Sequence, residues 1–267
     1  SLPDSRLYTV VAPQLEDESN FLGSAHAYAV EFYYPDSYVN SAAQRWPNDI
    51  AIIKLEASVG AADFRYLLND STNNAYPIDG EYMAVGHGAI ASDDSGGSQL
   101  LETRLQWVNT AVCQQVFGNN VSTSQICFDG EQVTTDGETL KNATCFGDSG
   151  GPVYWYHGGQ YIQIGITSFG PGVCGDPTIG VTSVFTEIYD YQGWINRVIS
   201  GLEQPKIYVT SKDGQRTLVV NDSNSGSDGS ASPPPSDGGG GSVGLFSGLL
   251  LAMLGWQRRR RIIPHQH

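Results

Sequence analysis

The stretch that decides the fold is Cys145 to Pro152, CFGDSGGP. Ser149 lies between an aspartate and two glycines, and glycines let a backbone turn sharply around a reactive side chain. A serine hydroxyl is a poor nucleophile until a base removes its proton, and histidine is the usual base. The 148 residues before Ser149 contain only His26 and His87. Beyond the serine, PVYWY (152–156) and YIQIGITSF (161–169) are rich in β-branched and aromatic residues. They read as two strands parted by the turn YHGGQ, which holds His157.

The same texture extends upstream. AYAVEFYY (27–34), IAIIKL (50–55), EYMAVGHG (81–88) and LETRLQWV (101–108) are apolar runs bounded by turn residues. LYTVVA (7–12) also reads as a strand. No long segment before residue 190 has a helical period. With 32 glycines and 14 tyrosines, the pattern predicts an all-β barrel or sandwich. WINRVIS (194–200) differs: Trp194, Ile195, Val198 and Ile199 fall on one helical face, which predicts a short closing helix.

The 267 residues are 40% hydrophobic and 16% charged, with a net charge of −14. Removing Arg258 to Arg261 leaves ten basic residues against 28 acidic ones. Such a surface repels nucleic acid and anionic lipid, so nucleic acid is excluded as a partner. Four cysteines stand at 113, 127, 145 and 174, with no C-x-x-C pair. That disfavours a zinc knuckle and fits two disulfides in an exported protein, with three pairings open. No metal or cofactor is expected.

After Gly201 the texture changes. KIYVT and RTLVV predict a small hairpin, a short β extension over 201–220. Residues 221–242, NDSNSGSDGSASPPPSDGGGGS, lack apolar anchors and read as a disordered linker. VGLFSGLLLAMLGW (243–256) is then a run of 14 mostly apolar residues, followed by Gln257 and four arginines. It is short for a bilayer span of ~20 residues.

CFGDSGGPV, with GITSFGPGVCG (165–175) and SVFTEIYDYQGWI (183–195), resembles the C-terminal half of chymotrypsin/trypsin-like (S1) serine proteases. NDIAIIKL (48–55) resembles the segment carrying that family's catalytic aspartate. The resemblance spans roughly residues 7–200. It implies a double six-stranded antiparallel β-barrel, its first barrel incomplete, closed by the short helix. It implies Ser149 as nucleophile, Asp49 as the acid that holds the histidine tautomer, and Ser168 as its hydrogen-bond partner. The N–H groups of Gly147 and Ser149 become the oxyanion hole. Asp148 becomes the partner of an α-amino group released by activation cleavage. The implied disulfides are Cys113–Cys127 and Cys145–Cys174.

The family order is histidine, aspartate, serine. His26 lies 23 residues before Asp49, at the start of a strand that aligns downstream of the family's histidine. His87 occupies a position where the family usually has tryptophan, and His265 and His267 lie in the tail. The base is therefore expected in a segment preceding Ser1, and the chain as written is expected to be inactive. A pseudoenzyme that binds surfaces without catalysis is the alternative. An α/β-hydrolase elbow requires a helix after the serine and the order Ser, Asp, His. Here a strand follows Ser149.

By the same resemblance Ala143 forms the floor of the specificity pocket, Gly170 its mouth and Ser183 its wall. Phe169 covers the neighbouring subsite, and the backbone of Ser168 to Gly170 pairs with substrate as an added strand. A neutral floor implies apolar rather than basic P1 residues, unless an acid such as Asp176 reaches the pocket. The tail resembles the Gly-Gly C-terminal sorting signals of Gram-negative bacteria. That implies transient membrane insertion, cleavage by a sorting protease, and export to the surface or medium. Protein or peptide substrates and a monomeric state complete the expectation.

Overall fold

Along residues 152–157, Val153 and Trp155 are buried while Tyr156 is exposed, the period-two pattern of a strand with one face on a core. The computed structural model describes residues 5–60, 76–92, 94, 96–135 and 137–221. In chain order its strands are β1 (Val10–Val11), β2 (Ala27–Tyr33), β3 (Ile52–Leu55), β4 (Glu81–Gly86), β5 (Leu101–Val108), β6 (Gln125–Gly130) and β7 (Gln132–Thr135). Then follow β8 (Glu138–Lys141), β9 (Pro152–His157), β10 (Gln160–Phe169), β11 (Ser183–Glu187), β12 (Ile207–Lys212) and β13 (Gln215–Val220). The α-helices are α1 (Thr110–Phe117) and α2 (Gln192–Ile199).

Six strands close a barrel in the order β4–β5–β6–β11–β10–β9. Every adjacent pair is antiparallel. Tyr82, Leu105, Phe128, Val153, Ile164 and Phe185 fill its interior. Phe128 and Phe185 meet edge to face with centroids 5.4 Å apart. Each such buried side chain stabilises by roughly 1.5–3 kcal/mol. Closure also removes the strand edges that invite aggregation.

A second sheet is open, ordered β1–β2–β12–β13 with β3 on the opposite edge of β2, and β7 pairs with β8 in a separate two-stranded sheet. Phe32 faces Ile207 on one side and Ile53 on the other. α2 buries Trp194, Ile195 and Val198 against Tyr33, Ile50, Ile188 and Tyr191. This cluster joins the open sheet to the end of β11. The all-β architecture, the closed six-stranded barrel and the short C-terminal helix agree with the expected fold.

Three local expectations are corrected. Ile199 is 66% exposed; it lies about 140° round the helix from Trp194, at the rim of the apolar arc. Over 7–12 only Val10–Val11 is strand, because Ser5–Tyr8 coils into a 3-10 turn and Pro13 offers no N–H for a longer ladder. α1 was not anticipated. Asn109 caps it by accepting the Val112 N–H at 3.0 Å, and Cys113 and Phe117 are buried one turn apart.

Of the three open pairings, the structure holds Cys113–Cys127, which ties α1 to β6, and Cys145–Cys174. The segments after α2 form an antiparallel hairpin through the turn Asp213–Gly214. The chain divides into units 1–234 and 235–267. The expected linker beyond Asn221, the apolar run and the arginine cluster lie outside the described residues. Among the described residues no helix is long and apolar enough to cross a membrane.

Candidate active site

Ser149 sits on an exposed turn between Cys145 and Gly151, and hydrogen bonds hold that turn from within and without. The Asp148 N–H donates to Cys145 O at 3.1 Å, and the Gly151 N–H donates to Asp148 O at 2.8 Å. The Asp148 carboxylate accepts from the Cys145 N–H and the Gly88 N–H, each at 2.9 Å. A Cβ on Gly88 would stand 2.5 Å from Asp148 Cγ, so any larger residue would push the carboxylate aside. Outside the turn, the Gly150 N–H donates to Thr167 O and the Thr167 N–H to Gly151 O. The serine is thereby stitched to β10.

Gly147 has φ +99°, a conformation that a side chain would strain. Among the described residues, neither its N–H nor that of Ser149 has a protein acceptor. Two unpaired donors, two residues apart on one exposed turn, can receive a negatively charged oxygen.

Asp49 comes to the same place from the other sheet. One residue beyond Thr167, Ser168 Oγ donates to Asp49 Oδ2 at 2.6 Å. Thr186 Oγ1 donates to Asp49 O at 2.7 Å, and Tyr191 OH donates to Asn48 Oδ1 at 2.9 Å. Burial holds the Asp49 carboxyl above its usual range, and the Ser168 bond partly counters this. The structure thus gathers Asp49, Ser168 and the Ser149 turn at one junction between the sheets.

The histidines lie elsewhere. His26 Nδ1 is 2.8 Å from Ser24 O, and its ring stacks on Phe21. The His157 ring lies tilted against Trp155, with centroids 4.3 Å apart. His87 Nε2 is buried without a hydrogen-bond partner among the described residues. Among those residues no histidine hydrogen-bonds Asp49, and no cluster of three or more His, Cys, Asp or Glu residues could hold a metal ion.

Ala143 is half-buried in the segment just before the nucleophile turn. Ser183 is fully buried, and its Oγ accepts from the Thr144 N–H at 2.9 Å and lies 3.0 Å from Thr144 Oγ1. That hydroxyl is already engaged. At Gly170 a Cβ would stand 3.0 Å from Thr182 O. Asp176, the acid expected as a possible counter-charge, accepts from the N–H and Oγ1 of Thr178 at 2.8 and 2.6 Å. Those bonds hold its carboxyl below the usual range. A cavity of about 470 Å³ lies beside Asp148, lined also by Ala143, Gly88, Ile90 and Cys174.

Sequence reasoning missed the loop that delivers Asp49. Arg45, Trp46 and Asn48 all have positive φ. The Trp46 ring lies 5.4 Å from Phe169, which in turn meets Phe117 at 5.3 Å. Arg45 Nε donates to Phe117 O, and Gln125 Nε2 donates to Arg45 O, both at 2.7 Å. These partners are 72 and 80 positions apart, so no local pattern could reveal them.

Among known proteins, testisin of Homo sapiens is 28% identical over 188 residues, 68% of this chain and 58% of that protein. The phenoloxidase-activating enzyme of Bombyx mori is 29% identical over 163 residues, 57% of this chain. Rat (Rattus norvegicus) chymotrypsin-like elastase family member 1 is 29% identical over 165 residues, 57% of this chain and 55% of that protein. The chain spans only 35% of the Bombyx enzyme's length. The solved structure of neuropsin, a serine protease expressed in the limbic system of mouse brain, superposes with a TM-score of 0.55 at 18% identity. It covers 71% of this chain and 83% of neuropsin, a likeness of fold. Residues 6–195 match the trypsin family; the chain belongs to the trypsin family of serine proteases.

Proposed function

We propose that this chain supplies the nucleophile, the orienting acid and the specificity pocket of an exported serine endopeptidase. The observation that carries this reading is the 2.6 Å bond from Ser168 to Asp49, one residue from the strand contact that anchors the Ser149 turn. In this reading a histidine from a segment preceding Ser1 stands between Asp49 and Ser149. It takes the Ser149 proton as Oγ attacks the scissile carbonyl. The N–H groups of Gly147 and Ser149 receive the oxyanion. The C–N bond then breaks, the histidine protonates the leaving amine, and water resolves the acyl-enzyme.

Asp148 pairs with an α-amino group released by activation cleavage; the adjacent cavity has room for it. Ala143 and the engaged Ser183 leave a neutral pocket for apolar P1 residues. The tail inserts transiently in the membrane and is removed by a sorting protease, and the product is then exported to the surface or medium. The test is hydrolysis of a peptide panel by the protein with its upstream coding sequence. Ser149→Ala is expected to abolish turnover and leave the circular dichroism unchanged. Unchanged hydrolysis would remove Ser149 from the reaction.

A second reading is a non-catalytic surface-binding homologue. It is favoured by the lack of a histidine bonded to Asp49 among the described residues. An upstream segment with another residue at the histidine position would establish it.

A further inference from the structure

The hairpin β12–β13 lies beyond the closing helix and beyond the family match, which ends at residue 195. It pairs with β2 only through Ile207 and Tyr208, yet one of its side chains grips three other segments. Arg216 Nε donates to Leu7 O at 3.3 Å and Nη2 to Ala29 O at 2.8 Å. Nη1 meets Glu56 Oε2 at 3.1 Å, and the guanidinium lies 4.8 Å from the centre of the Tyr28 ring. Only arginine has the planar fork that serves several acceptors at once. Its side chain is 21% exposed, and its bonds to the two carbonyls are partly buried, while Glu56 is 41% exposed.

β3 needs such a grip. It has four residues, its burial pattern does not alternate, and its ladder with β2 carries a register shift between Ala29 and Glu31. Register is weakly specified where burial does not alternate. Glu56 directly follows β3; its N–H donates to Tyr28 O at 2.9 Å. Asp49 lies at the other end of β3, three residues before Ile52. A one-residue slip would displace it by ~3.3 Å, more than the whole length of its bond to Ser168.

We propose that Arg216 is the register pin of β3 and thereby a positioning residue for Asp49. Through it the end of the chain that follows α2 governs where the acid stands. The inference rests on the proposed function only for its kinetic consequence.

The test uses the full chain and three variants, Arg216→Ala, Arg216→Lys and Glu56→Gln. Hydrogen exchange reads the β3 amides, and the ¹³C-carboxyl resonance of Asp49, assigned with Asp49→Asn, reads the position of the acid. Arg216→Ala is expected to raise exchange at Ile52–Leu55 at least ~10-fold, leave the closed barrel unchanged and move the Asp49 resonance. Lysine keeps a charge for Glu56 but lacks the fork, so Arg216→Lys should restore only part of the wild-type behaviour. Should Arg216→Ala fail to fold, Glu56→Gln carries the test, because it loosens the β3 end and leaves the carbonyl bonds. Wild-type exchange and an unmoved Asp49 resonance in a folded variant overturn the proposal. In a preparation that hydrolyses peptides, kcat should fall at least ~10-fold with KM within about twofold. Absence of hydrolysis by wild-type protein counts against the proposed function alone, and exchange with the carboxyl resonance still decides the role of Arg216.

Discussion

Ser168 and Asp49 are 119 positions apart in the chain, yet the Ser168 hydroxyl is the group that holds the Asp49 carboxylate at 2.6 Å. The bond crosses the junction between the closed barrel and the open sheet. It favours the charged form of a carboxyl that burial drives towards neutrality.

Ser168→Ala should therefore raise the Asp49 pKa. The sign follows from the opposing causes: the hydrogen bond lowers it, burial raises it, and only burial remains in the variant. The acid limb of the kcat profile should move to higher pH, with activity near neutrality falling roughly tenfold, about 1.4 kcal/mol. A carboxyl titration measured by NMR checks the shift without turnover; an unchanged value would refute the role given to Ser168.

Glu187 should make stability depend on pH. It is 3% exposed, Tyr76 OH donates to it at 2.8 Å, and its pKa is raised to about 7, first by burial and also by Asp190. Below about 4.5, the ordinary value, both folded and unfolded states carry the proton and nothing is lost. Between about 4.5 and about 7 the unfolded chain ionises first, so stability falls as pH rises, by up to about 3 kcal/mol. Glu187→Gln should flatten this dependence. Urea unfolding at several pH values across that window is the measurement, and a slope retained by the glutamine variant would count against the assignment.

Gly88→Ala should disturb the nucleophile turn from a distance. The new methyl would collide with the Asp148 carboxylate and its Gly88 bond. An unsatisfied carboxylate acceptor and the displaced turn should cost about 1–3 kcal/mol. Thermal unfolding reports the loss of stability, and labelling of Ser149 by a fluorophosphonate, in the protein with its upstream coding sequence, reports the turn. Wild-type labelling would show that Asp148 does not shape it.

The pocket should prefer Leu or Phe over Arg at P1 by at least ~10-fold in kcat/KM. Ala143 offers no charge and Asp176 does not line the cavity beside it, so a guanidinium buried on that floor would lack a carboxylate at position 143, at a cost of several kcal/mol. A P1 panel on the activated enzyme measures this. Preference for Arg would mean that another carboxylate reaches the pocket, and Ala143→Asp would then change little.

The strands were legible where alternation is strong. β5 occupies the predicted run 101–108 to the residue, because one face packs on the barrel core. α1 was overlooked although its signals are present: Asn109 as cap, Val112, Cys113, Val116 and Phe117 on one side, Gly118 as stop. Two turns are too short to show a period against a β-rich background. Asp49 and Ser149 could be named as candidates because the runs around them, NDIAIIKL and CFGDSGGP, resemble those of a known family. Gln125 and Arg216 could not, because their roles lie in bonds to distant carbonyls, and any sequence offers a carbonyl.

The loop before Asp49 has a consequence for how the molecule comes apart. Asn120 donates to Ala43 O and Gln125 to Arg45 O, each at 2.7 Å. Three non-glycine residues there, Arg45, Trp46 and Asn48, are held at φ of 59°, 44° and 60°, conformations that persist only when their surroundings enforce them. If the barrel melts, those restraints vanish and the loop relaxes. If the open sheet melts, the buried Gln125 and Thr186 lose their partners. Neither half can open without charging the other for it, so calorimetry should find residues 5–221 melting as one cooperative unit.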